Sequence, residues 1–72
     1  MSQDQPEILI TATRPWEDSE FSLVRVFFDG AMISGVLALT PEEARTMGVV
    51  MELGAKEAGV SFEYVEETYK EV

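Results

Sequence analysis

The side chains available for chemistry are fourteen carboxylates, two tyrosines, two lysines and the serine and threonine hydroxyls, because the chain has no histidine and no cysteine. That removes the usual general base, the thiol nucleophile and most transition-metal sites. A nucleophilic serine would need a lysine as its base, and Lys56 and Lys70 both stand in solvent-facing contexts. Glu17, Asp18 and Glu20 are spaced closely enough to supply a glycosidase-like pair or to hold a calcium or magnesium ion weakly. A pair of the first kind needs a deep groove, which so short a chain can hardly build, and the cluster lacks the spacing of a calcium-binding loop. It reads as a solvated acidic loop. No glycine-rich phosphate cradle is present either, since Gly48, Gly54 and Gly59 fall in or at the end of a helix. The expectation is a protein that is not an enzyme and has no cofactor and no metal site.

What remains is binding. The net charge is −9, and the acids crowd the two ends: residues 1–20 hold five against one base, and residues 60–72 hold four against one. Such a field opposes direct contact with nucleic acid or an anionic membrane and favours a partner with a basic surface. Trp16, the sole tryptophan, lies among Arg14, Pro15, Glu17 and Asp18, which is the composition of an apolar anchor inside a polar rim. Folding back over a sheet edge to complete a thin core is its other expected role. The partner-binding candidates are therefore Trp16, Glu17, Asp18 and Glu20, with Glu63, Glu66 and Glu67 near the other end.

These residues need a frame, and its most legible part is the stretch 39–59. Thr40 suits the N-cap, Pro41 the first helical position, and Glu43 completes a capping box. Gly59 closes the helix, with Lys56 in its last turn. At 100° per residue, Ala44, Met47, Gly48, Met51, Gly54, Ala55 and Ala58 share one stripe of small residues and methionines, which implies close approach to a sheet. Val49, Val50 and Leu53 form a second apolar strip on roughly the opposite side.

Alternation predicts strands over 7–13, 21–28, 31–39 and 60–65. Residues 14–20 form a surface loop, and Asp29-Gly30 is a two-residue hairpin turn. In that register Phe28 faces Ala31 and Phe27 faces Met32. One hairpin face carries Val24, Val26, Phe28, Ile33, Leu37 and Leu39; the other carries Phe21, Leu23, Phe27, Met32, Val36 and Ala38. Both faces are apolar, and one helix covers one face. Gly35 marks a possible bulge with a one-residue shift of the outer register.

The order is β-β-β-α-β, a small α+β domain over 1–72 with a mainly antiparallel sheet and one helix packed across it. Residues 1–6 are expected to be a flexible leader and 66–72 an acidic tail. The core is small and no disulfide can staple it, so a homodimer is expected, with Leu23, Phe27, Val36, Val49, Val50 and Leu53 as interface candidates. The polar, acidic N-terminus and the lack of a long apolar run predict a soluble, cytoplasmic protein. The functional expectation is an acidic inhibitor or adaptor for a larger basic partner that binds nucleic acid, the competing one an accessory protein that mainly contacts itself. In size, charge and fold class the chain is similar to phage-encoded inhibitors that occupy nucleic-acid sites on bacterial defence complexes.

Overall fold

The computed structural model describes residues 5–69. In chain order it contains β1 (Glu7–Arg14), β2 (Ser22–Phe28), β3 (Ala31–Met32), β4 (Leu37–Leu39), α1 (Pro41–Ala58) and β5 (Ser61–Thr68). One mixed sheet runs in the order β3-β2-β1-β5, with β4 also paired to β2, and the fold is α+β. The β1–β2 and hairpin ladders are antiparallel, whereas β5 returns through the helix to lie parallel beside β1.

Local chemistry sets most of these boundaries. Thr40 accepts from the Glu43 amide at 3.1 Å and the Glu43 carboxylate accepts from the Thr40 amide at 3.0 Å, closing the capping box. At the other end Gly59 takes φ +73°, and its amide and that of Val60 satisfy carbonyls of the last turn. Asp29 and Gly30 have φ +52° and +89°, the paired positive values of a type I′ hairpin turn.

Beyond that turn the expected register changes. Phe28 and Phe27 do face Ala31 and Met32. A continuous hairpin would then set Val24 opposite Gly35, but Val24 lies opposite Leu37, two residues further on. The predicted third strand is thus split into β3 and β4, and the offset is two residues rather than one. An even offset leaves Leu37, Ala38 and Leu39 on their expected faces.

The core lies between α1 and one sheet face. Ile10, Ala12, Val24, Val26 and Ala44 are buried, with Ile8, Leu39, Met47, Met51, Phe62 and Tyr64 packed against them. Gly48 is the close-approach point: a Cβ there would stand 3.0 Å from Cδ1 of the Tyr64 ring. Gly54 and Ala58, expected on the same stripe, are exposed, and a Cβ at Gly54 would meet nothing within 4 Å. Phe28 and Leu37 share the helix side but lie beyond its cover and are exposed, as is Ile33 in the segment after β3.

The ends also differ from expectation. β5 continues through Thr68, so Glu66 and Glu67 are strand residues rather than tail. Of the predicted leader, Pro6 accepts from the Ser61 amide at 3.0 Å and the Gln5 side chain donates to the Gly59 carbonyl at 2.6 Å, while residues 1–4 lie outside the described residues. The predicted tail residues 70–72 do too. On the sheet face away from α1 the rows read Met32, Phe27, Leu9, Glu63 and Ala38, Leu23, Thr13, Glu67, with Arg25, Thr11 and Val65 between them. Among the described residues no element covers this face.

Candidate functional site

The carboxyl ends of β1 and β5 lie side by side, and most of the candidate binding residues gather there. The Tyr69 amide donates to the Arg14 carbonyl at 2.8 Å, which holds the end of β5 against the start of the loop 15–21. That loop is tied from within. The Arg14 guanidinium donates to the Glu17 carbonyl at 2.9 Å, the Ser19 amide to the Trp16 carbonyl at 3.2 Å, and the buried Ser19 hydroxyl donates to the Phe21 carbonyl at 2.7 Å. With its backbone groups satisfied inward, the loop turns Trp16, Glu17, Asp18 and Glu20 outward.

Trp16 is 55% exposed. It does not complete the core; its ring meets Phe21 edge-on, with centroids 6.1 Å apart and planes at 61°. Phe21 and Tyr69 are also exposed, so the end of the sheet presents three aromatic side chains among Glu17, Asp18, Glu20 and Glu67. Among the described residues no arginine or lysine pairs with these four carboxylates.

Glu66 is differently placed. It sits on the helix side of β5, where one oxygen accepts from Arg45 Nε at 2.9 Å and from the Tyr64 hydroxyl at 3.0 Å. Burial pushes the Tyr64 phenol up to about 12, helped by its hydrogen bond to Glu66 and the charge of that carboxylate, with Arg45 opposing. The cluster fastens the helix to the outer strand. Its ion pair is exposed and contributes at most about 1 kcal/mol.

A niche of about 190 Å³ lies between these features, lined by Arg14, Ser22, Pro41, Arg45, Glu66 and Glu67. Of its charged groups only Arg45 and Glu66 form an ion pair. Among the described residues no group of three or more carboxylates converges in a way that could hold a metal ion, and Glu17, Asp18 and Glu20 do not form one.

The candidates therefore divide. Trp16, Glu17, Asp18, Glu20, Glu66 and Glu67 share one end of the molecule, whereas Glu63 stands toward the other end of β5, opposite Leu9. The expected dimer residues fall on two layers: Leu23 and Phe27 half-buried on the open sheet face, Val50 and Leu53 exposed on α1 with Val49 at the rim of the groove between α1 and β5, and Val36 exposed in the segment between β3 and β4. One two-fold contact cannot use both layers. The structure adds Phe21 and Tyr69 to the candidate site. Phe21 reads in sequence as the start of an alternating strand, and the position of Tyr69 depends on the parallel pairing of β5.

Compared with known proteins, the chain matches no family model, and no curated protein or solved structure is significantly similar to it. Among the described residues no helix is long and apolar enough to cross a membrane.

Proposed function

We propose that this is a non-catalytic binding protein, an acidic inhibitor or adaptor that engages a larger partner through a basic, nucleic-acid-binding surface. The observation that carries the reading is the end of the sheet where exposed Trp16, Phe21 and Tyr69 stand among carboxylates with no cationic partner. Aromatic side chains inside a charged rim are the anatomy of a protein contact, with the aromatics giving affinity and the rim steering the encounter. Exposed carboxylates on a chain of −9 net charge also present a basic groove with the sign of charge that nucleic acid presents. The test is a kinetic series against a partner captured from the native host. Reversing Glu17, Asp18 and Glu20 to lysine is expected to slow association by about tenfold at low salt and to converge with the parent at high salt. Rates that ignore both salt and the reversals would sink the reading.

Self-association is the second reading, favoured by Val50 and Leu53, which are 61% and 62% exposed on α1 with Val49 beside them. On that reading light scattering returns twice the chain mass and Leu53→Asp returns the monomer with its helix content unchanged. A monomeric parent at tens of micromolar, on the order of the concentrations at which weak dimers form, counts against it.

A further inference from the structure

We propose that the outer edge of β5 receives an extended partner segment in which apolar and basic side chains alternate, added to the sheet as a further strand. The proposal rests on the basic-partner reading above and gives that partner a binding mode. β5 is a sheet edge of eight residues, and among the described residues no strand pairs with its outer side. The amides of Ser61 and Tyr69 donate inward, to the carbonyls of Pro6 and Arg14. Because direction alternates along a strand, the peptide groups of Phe62, Tyr64, Glu66 and Thr68 face outward with donors and acceptors to offer.

The two sides of this edge differ in chemistry, and that fixes the occupant. On the helix side a groove of about 470 Å³ runs between α1 and β5, lined by Gly48, Val49, Phe62 and Tyr64 together with Glu52 and the Arg45–Glu66 ion pair. Gly48 leaves the Tyr64 ring uncovered by any side chain of its own, and Val49 is exposed at the rim. Side chains of an added strand pointing this way would meet a mainly apolar surface, in which Arg45 and Glu66 already neutralise each other. On the opposite side the outward neighbours are Glu63, Val65 and Glu67, so alternate side chains would meet carboxylates. An added strand with apolar residues toward the groove and lysine or arginine toward Glu63 and Glu67 satisfies both.

A second copy of β5 fits less well. An antiparallel two-fold pair keeps each face on its own side and so is centred on a residue; centring it on Val65 sets Glu63 opposite the second copy's Glu67, and centring it on Glu66 sets that carboxylate opposite its own copy. Like charges directly opposite destabilise a strand pair. The same carboxylates that invite a basic strand thus count against these registers of self-pairing.

The probe is a synthetic peptide alternating lysine with valine, matched to the eight residues of β5. Its control contains the same residues in two blocks. Amide exchange of the free protein is expected to be slow at Glu63, Val65 and Glu67 and fast at Phe62, Tyr64, Glu66 and Thr68. Saturating peptide should slow the fast set by about tenfold or more. Glu63→Lys with Glu67→Lys should weaken binding by about tenfold at low salt while leaving the exchange pattern of the free protein unchanged. Binding that protects none of the outward amides overturns the edge site but leaves the basic-partner reading standing. Equal binding of the block peptide overturns it as well. If neither peptide binds, the edge site fails, and the salt series against the intact partner decides the wider reading independently.

Discussion

Gly48→Leu is expected to destabilise the protein by about 2 kcal/mol, while the same substitution at Gly54, six residues further along α1, is expected to stabilise it slightly. At Gly48 even the first added carbon would stand 3.0 to 3.3 Å from three atoms of the Tyr64 ring. The ring cannot step aside freely, because its hydroxyl is bonded to Glu66, which is also held by Arg45. Overpacking of this kind costs about 3 kcal/mol, and the helix propensity gained on replacing glycine offsets about 1 kcal/mol of it. At Gly54 nothing lies within 4 Å of the new carbon, so the propensity gain stands alone. For a domain of this size each 1 kcal/mol moves the melting temperature by about 4 to 8 °C, so the two variants should separate by well over 10 °C in a thermal melt. A Gly48→Leu protein as stable as the Gly54→Leu one would mean that α1 does not lie against β5 as described.

That contrast also shows where sequence reading succeeds and where it stops. The capping box at Thr40 and Glu43 and the turn at Asp29-Gly30 were legible because each is decided within four residues, by hydrogen bonds and backbone angles that the residue types require. Gly48 and Gly54 are the same residue on the same helix. Only the position of β5 beneath α1 makes one a contact and the other a surface position, and a helical wheel carries no information about what lies under it. The split of the third strand was hidden for a similar reason. Gly35 signalled an interruption, but the size of the offset is set by where Leu37 and Leu39 find Val24 and Ser22, which is a nonlocal choice.

The alternation of Phe62 and Tyr64 stops in sequence at Glu66, although β5 runs on to Thr68. The Glu66 carboxylate is tolerated on the helix side because Arg45 reaches it from α1 and the Tyr64 hydroxyl donates to it. Arg45 was a visible signal, a cation at the flank of the inner stripe, but its meaning required knowing that β5 runs parallel beside β1. The acidic and aromatic content of the site was thus readable from composition. Its convergence on one end of the sheet was not, since that depends on the same parallel pairing.

Trp16→Ala is expected to separate affinity from steering at that end of the molecule. In the free protein the indole is more than half exposed and touches Phe21 by an edge, so its removal should cost little stability and leave the loop backbone in place, because Arg14 and Ser19 hold that loop through main-chain groups. In a complex the same ring would be desolvated inside a rim of Glu17, Asp18 and Glu20, the position where truncating a tryptophan typically costs about 2 kcal/mol or more. The loss should appear as a dissociation rate raised about 30-fold with association nearly unchanged, since short-range packing acts after the encounter. Its dependence on salt should match the parent. Charge reversal of the three carboxylates should give the opposite pattern, slower association that salt abolishes and a nearly unchanged dissociation rate. If Trp16→Ala and the reversals both bind like the parent, the partner does not use this end. The exposed strip on α1 and the open sheet face then become the surfaces to test, by Leu53→Asp and by a charge at Phe27.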